Sequence, residues 1–160
     1  MGSSSPVSGS ARVSKGQPLG VQSPRPCAPC TVVLVDDRDD IRRLLAMLLD
    51  DEPDFLVVAE GSNGRDAIQL AEQLQPDLVV LDNDMPVMTG LEAIPHVLSA
   101  APTRVVLFSA DADELRQQAL QLGAASAITK STGVLTFVEQ LREVLSATAD
   151  SAETSRPSRT

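Results

Sequence analysis

Four apolar runs end in side chains that could do chemistry together. Asp36 and Asp37 follow VVLV, Asp82 follows LVVL, Ser109 follows VVLF, and Lys130 follows SAIT. Three carboxylates held close together repel one another and raise each other's pKa unless a cation is present. A hard divalent ion such as Mg²⁺ relieves this, taking oxygen ligands while keeping waters that a phosphate can displace. One carboxylate can then attack phosphorus and carry it as an acyl phosphate. An ammonium group would neutralise the transferring phosphoryl, and a hydroxyl would donate to one of its oxygens. Lys130 and Ser109 suit those two roles. Lys130 is the only lysine between residues 31 and 146, a compact charge on a flexible stem. Taken singly, each residue has an ordinary role open to it: Asp36 or Asp37 as a helix cap, Ser109 in a turn, Lys130 in solvent. Together they supply, at separate strand ends, each type that phosphoryl chemistry needs.

The elements that position these residues change type regularly along the chain. Residues 31–36 (TVVLVD) read as a strand covered on both faces. Residues 39–50 read as a helix with Ile41, Leu44, Leu45, Leu48 and Leu49 at helical spacing, closed by Pro53. A second strand spans 55–60, and Asn63-Gly64 open a helix that stops before Pro76. Strands at 78–81, 104–108 and 126–129 follow, with helices from about Gly90 to Ala100, at 111–122 and at 132–145. Pro95 should weaken or kink its helix unless it lies in the first turn. Five strands alternating with five helices give an α/β fold: one doubly wound parallel sheet with helices on both faces. Such sheets bind ligands beyond the carboxyl ends of their strands, at the topological switch point. All five candidate residues stand at such ends.

Composition narrows the function. The chain of 160 residues suits one domain with tails. With 2% aromatic residues, its core must be built from aliphatic side chains. A net charge of −9 argues against direct nucleic-acid binding, which needs clustered Lys and Arg. An acidic body suits a cation or a basic partner instead. No run has the length and apolarity of a membrane span, and the start lacks a secretory h-region, which together suggest the cytoplasm. Residues 1–30, rich in Ser, Pro and Gly, read as a disordered tail. Residues 31–146 read as the folded body, and 147–160 as a flexible C-terminal tail.

The segments VLVDD, LDNDMPVMTG, VVLFSA and AITKS resemble those of the receiver domain of bacterial two-component response regulators, over about residues 31–146. The resemblance implies a flavodoxin-like (βα)5 fold with strand order 2-1-3-4-5. It implies a phosphorylation-activated switch in a two-component phosphorelay, whose only chemistry is its own phosphorylation and hydrolysis. Asp82 would be the phosphoacceptor. Asp37, Asp82 and the backbone carbonyl of Asp84 would ligate Mg²⁺, with Asp36 acting through water. Ser109 would be the switch hydroxyl and Lys130 the ion-pair partner of Asp82, while Met85, Pro86 and Gly90 shape the adjoining loop. The donor would be a sensor histidine kinase or a histidine phosphotransfer protein. Output would be binding of a downstream protein, or homodimerisation, through the face formed by the fourth helix, fifth strand and fifth helix. Asp84 and Asp111, two positions beyond Asp82 and Ser109, could tune the lifetime of the acyl phosphate.

Two departures from the family pattern stand out. Many receivers have an aromatic residue three positions before the lysine, where this chain has Ala127. Lys130 is followed by Ser131 rather than the frequent Pro, as in receivers of the nitrate-response (LuxR-type) subgroup. Those carry a C-terminal helix-turn-helix, for which the stretch after Ser146 is too short.

Weaker signals point elsewhere. Cys27 and Cys30 have C-x-x-C spacing but precede a strand rather than a helix, and the only histidine, His96, is far along the chain. His96 reads as a helix surface residue, and Asp50-Asp51-Glu52 with Asp54 as a solvated turn. Two other functions compete with the switch. A haloacid dehalogenase-type phosphatase would use Asp82 and Asp84 as nucleophile and acid/base. Such enzymes place that pair after the first strand, and here the Asp36-Asp37 pair comes first. A receiver-like docking module that works without phosphorylation is the other alternative.

Overall fold

A computed structural model describes residues 29–155. The elements are β1 (Cys30–Val35), α1 (Asp39–Asp50), β2 (Phe55–Gly61), α2 (Gly64–Leu74), β3 (Leu78–Leu81), α3 (Gly90–Ala100), β4 (Arg104–Ser109), α4 (Ala112–Gln121), β5 (Ser126–Thr129) and α5 (Val134–Ser155). All strand pairings are parallel, and the strand order is β2-β1-β3-β4-β5.

The central strands are buried on both faces, and their alternation separates two cores. Val32, Leu34, Leu78, Val80, Val106, Phe108 and Ile128 meet Leu45 and Leu49 of α1 and Phe137, Val138 and Leu141 of α5. Val33, Val35, Val79, Leu81, Val105, Leu107 and Ala127 meet α2, α3 and α4. Strand β2 lies at the sheet edge and alternates in burial along its length. A register shift between Val32 and Val33 skips Val58.

Caps set the helix starts nearest the site. Asn63 accepts from the Asp66 N–H to open α2, and Thr89 with Glu92 forms a reciprocal capping box at α3. Pro95 lies inside α3 beyond its first turn, yet the helix stays continuous from Gly90 to Ala100. Its ring is exposed, and the carbonyl that loses its donor is that of Leu91, only one residue into the helix. As the sixth of eleven residues, Pro95 removes one intrahelical bond, and the capping box with buried Ala93, Ile94 and Val97 holds the helix together around it.

Several boundaries move. Strand β1 begins at Cys30, not after it, and α5 starts at Val134 and runs to Ser155, well past the expected helix end at Leu145. The sequence ATADSAETS contains neither Gly nor Pro, so nothing in it stops the helix. The rest of the N-terminal stretch, Cys27 included, lies outside the described residues, as do residues 156–160. The acidic turn is not simply solvated: Arg142 of α5 pairs with Glu52 and with Asp54 at 2.7 Å and lies over the Phe55 ring.

Candidate functional site

The strand alternation extends one residue past the strands. Asp36, Asp82 and Lys130 keep the parity of the residues facing α1 and α5, and Ser109 keeps that of the residues facing α4. Asp36 and Asp82 are each 2% exposed, Ser109 is fully buried, and Asp37 is exposed. Carboxylate oxygens of Asp36, Asp37 and Asp82 lie within 4.8 Å of one another, the one acidic group of this kind among the described residues.

Lys130 reaches into this cluster. Its Nζ donates to Asp36 Oδ2 at 2.8 Å and stands 3.1 Å from Asp82 Oδ1. The ion pair expected with Asp82 is present, but the tighter partner is Asp36. The other Asp36 oxygen accepts the Arg38 N–H at 2.9 Å. Asp82 Oδ1, although buried, receives no well-aligned hydrogen bond and only this ion contact. It therefore keeps acceptor capacity for a cation or a phosphoryl group.

The electrostatics follow from this packing. Burial first, and then the Asp36 charge, push the Asp82 carboxyl up to about 6, against the pull of Lys130 and the Asp84 backbone N–H. Burial disfavours the Lys130 ammonium, but Asp36 and Asp82 outweigh it and its pKa rises. The cluster thus favours the charged lysine and disfavours charge on the central acid. A divalent cation fits: the oxygens are hard, two of the three acids are buried, and one oxygen is under-used.

The loop from Asp82 to Gly90 folds back on itself. Gly90 N–H donates to Asn83 O at 3.1 Å, and Asn83 Oδ1 accepts the Leu91 N–H at 3.0 Å. A Cβ on Gly90 would stand 2.3 Å from the Asp82 carbonyl oxygen. Only glycine allows this approach. Met85 is buried and Pro86 exposed. Met88 N–H donates to Pro86 O at 2.7 Å with Val87 at φ 71°, a γ-turn that strains a β-branched residue. On the far side of the site, Ser109 Oγ accepts the Asp111 N–H at 3.3 Å, and Ser109 O accepts the Lys130 N–H at 3.0 Å. The side chains of Asp84 and Asp111 are both exposed.

Three contributors escaped the sequence reading. Phe108 lies beneath Lys130, its ring centroid 5.9 Å from Nζ, and packs on Phe137 at 4.8 Å. Its shared parity with Lys130 was the available signal. Arg42 bonds the Asp36 carbonyl, and its place just after the acidic first turn of α1 is the only hint. Val87 carries no signal in sequence, because its φ is imposed by the loop. Cys30 is half-buried, and burial and then Asp77 push its thiol up to about 12, the opposite of a reactive cysteine. His96 is exposed on α3. No helix among the described residues is long and apolar enough to cross a membrane.

Comparison with known proteins gives a consistent result. The family model described as a response regulator receiver domain matches residues 32–142. A protein-glutamate methylesterase/protein-glutamine glutaminase of Methanosarcina mazei is 39% identical over 106 residues, which is 64% of this chain and 29% of that protein. The chain thus spans less than a third of that relative's length, the match lying within its receiver part. Among solved structures, the response regulator domain of Thermotoga maritima CheB aligns at 35% identity and TM-score 0.65, covering 74% of this chain and 92% of that one. The receiver domain of a NarL regulator of Mycobacterium tuberculosis aligns at 32% identity and TM-score 0.65, covering 79% and 98%. These two likenesses are similar in strength, so the Lys130-Ser131 ending does not single out the nitrate-response subgroup.

Proposed function

Because the chain belongs to the response regulator receiver domain family, a family of phosphorylation-activated switches, we propose that Asp82 is the residue that accepts the phosphoryl group. The observation that carries this assignment is the rim itself: Asp82 is buried beside Asp36 and Asp37 with Lys130 3.1 Å away. The Asp82 carboxylate attacks phosphorus in line, the bond to the donor's imidazole nitrogen breaks, and an acyl phosphate forms. Lys130 offers its charge to the incoming phosphoryl oxygens. Ser109 turns its hydroxyl toward one of them, exchanging its contact with the Asp111 N–H for a charge-assisted hydrogen bond.

Asp37, Asp82 and the Asp84 carbonyl would hold Mg²⁺ directly, with Asp36 linked through water. The ion would supply neutralisation of the phosphoryl charge. Asp36 is already engaged by Lys130 and Arg38, which supports an indirect role for it. Asp84 and Asp111, exposed beside the site, would set how fast water removes the phosphoryl group. Met85, Pro86 and Gly90 hold the loop in place. The donor is a sensor histidine kinase or histidine phosphotransfer protein, and the setting is cytoplasmic. The switching unit is residues 31–146. Its output face is α4–β5–α5, where Leu120 and Leu135 are exposed, suited to a downstream protein or a second copy.

Acetyl phosphate with Mg²⁺, followed by intact mass, tests the assignment. Wild type should gain one alkali-labile phosphoryl group, and Asp82→Asn none. An adduct that persists in Asp82→Asn places the acceptor elsewhere, and none in either protein favours a docking module that works without phosphorylation.

A further inference from the structure

Beneath the acidic rim lies a guanidinium that the phosphoryl chemistry leaves without a role. Arg42 of α1 donates from Nη1 to the main-chain oxygen of Asp36 at 2.6 Å. Its Nη2 pairs with Asp39 Oδ1 at 2.5 Å, and its Nε with Glu60 Oε1 at 3.2 Å. The side chain is only 16% exposed. One planar fork thus ties together the β1–α1 turn, the first turn of α1 and the edge strand β2, a geometry that lysine cannot reproduce.

The bonded oxygen is what gives this contact a consequence. It belongs to the peptide joining Asp36 to Asp37, and a planar peptide held at its oxygen cannot rotate without breaking that bond. Asp36 has its own side-chain anchors in Lys130 and the Arg38 N–H. Asp37 has no side-chain partner among the described residues, so only its backbone aims it at the other two acids. We propose that Arg42 is a positioning residue for the cation site: by fixing the Asp36–Asp37 peptide it directs the Asp37 carboxylate toward Asp36 and Asp82. This rests on the reading of that rim as the Mg²⁺ site.

Simple electrostatics has the opposite sign, which makes the inference sharp. A positive charge beside a cation site repels the cation, so deleting it should tighten binding. Pairing with Asp39 and Glu60 blunts that repulsion here, leaving positioning to dominate.

Calorimetric titration of the full chain with Mg²⁺ distinguishes the two, and a chain without Trp or Tyr favours heat over intrinsic fluorescence as readout. Arg42→Gln and Arg42→Lys should each weaken Mg²⁺ binding by about tenfold, as loss of a group that orients a ligand commonly does. Saturating Mg²⁺ should restore their phosphorylation by acetyl phosphate. Glu60→Gln removes an Arg42 partner that is itself half-exposed but spares the Asp36 contact, and should leave Mg²⁺ affinity within about twofold. Arg42→Lys keeps charge and stem, so it reports even if Arg42→Gln folds poorly. Unchanged or tighter binding in Arg42→Gln, wild-type affinity in Arg42→Lys, or an equal loss in Glu60→Gln would each overturn the inference. If those results accompany loss of binding in Asp37→Asn, the site reading survives and the positioning role alone fails. Absence of Mg²⁺ binding in wild type sinks both.

Discussion

The two banks of the proposed phosphoryl site are built to different standards. On the α1 side, Asp36 and Asp82 are pinned by Lys130, the Asp36 turn is tied by Arg42, and α1 buries Leu45 and Leu49. On the α4 side, Ser109 makes one long contact to the Asp111 N–H, and the residues α4 buries are Ala112 and Ala119. Two leucines in place of two alanines bury six more carbons, worth roughly 5 kcal/mol at about 0.8 kcal/mol per methylene. If the acids hold a metal and a nucleophile as proposed, their geometry must not drift, whereas a helix that would report a phosphoryl group must be cheap to move. The difference lies in the helices, which bury large residues on one bank and small ones on the other.

The largest effect is expected at the seam between the banks. Gly90→Ala puts a Cβ 2.3 Å from the Asp82 carbonyl oxygen and 3.0 Å from the Asn83 backbone. Neither is a flexible tip, so the loop itself must move. The cost should be about 2 kcal/mol or more of stability, read as a lowered melting temperature, with phosphorylation lost in the fraction that remains folded. A variant that is fully stable and active would show that the seam is loose.

Next in size is the pH response of the rigid bank. The folded state holds the Asp82 carboxyl at about 6, above the 3.8 of an ordinary aspartate. Between those values the folded protein binds more protons than the unfolded chain, so this residue makes stability fall as pH rises through 4 to 6. Above about 6 the full penalty stands. In metal-free buffer, Asp82→Asn should therefore be more stable than wild type at pH 7, by about 1–3 kcal/mol. The gap should shrink as pH drops toward 4. Denaturant melts across that range check it, and a gap independent of pH would mean that Lys130 already compensates the charge.

The rigid bank was also the more legible one in sequence. VVLVDD and LVVLD place their acids by chain alternation alone, so strands, fold and the Asp36–Asp37–Asp82 cluster could be read without coordinates. Lys130 was read as the partner of Asp82, but its closer bond to Asp36 depends on strand register. Arg42 and Phe108 look like any helix arginine or core aromatic until the loops bring them under the rim. The α4 bank is harder to read because Ala112, Ala119 and Ala127, buried in its core, are small and carry no chemistry of their own. The end of α5 is hard to place because its polar, alanine-rich last stretch has the composition of a tail, yet no residue in it breaks a helix.

Arg116 yields the smallest expected effect. From the middle of α4 its Nη2 donates to the main-chain oxygen of Ala127 at 2.6 Å, the position where many receivers carry an aromatic side chain. The residue is otherwise exposed, so Arg116→Ala should cost about 1 kcal/mol or less, the net worth of one hydrogen bond to a charged donor at a wet surface. Global melts will barely register it. Local opening should register it, because the residues α4 fully buries are alanines, with only Leu115 partly buried beside them. Amide exchange in α4 should speed up in Arg116→Ala while exchange in α1 stays unchanged. If both helices respond equally, the two banks share one stability and the contrast between them is only one of composition. If α4 alone responds, the bond from Arg116 to β5 is a restraint specific to the α4 bank.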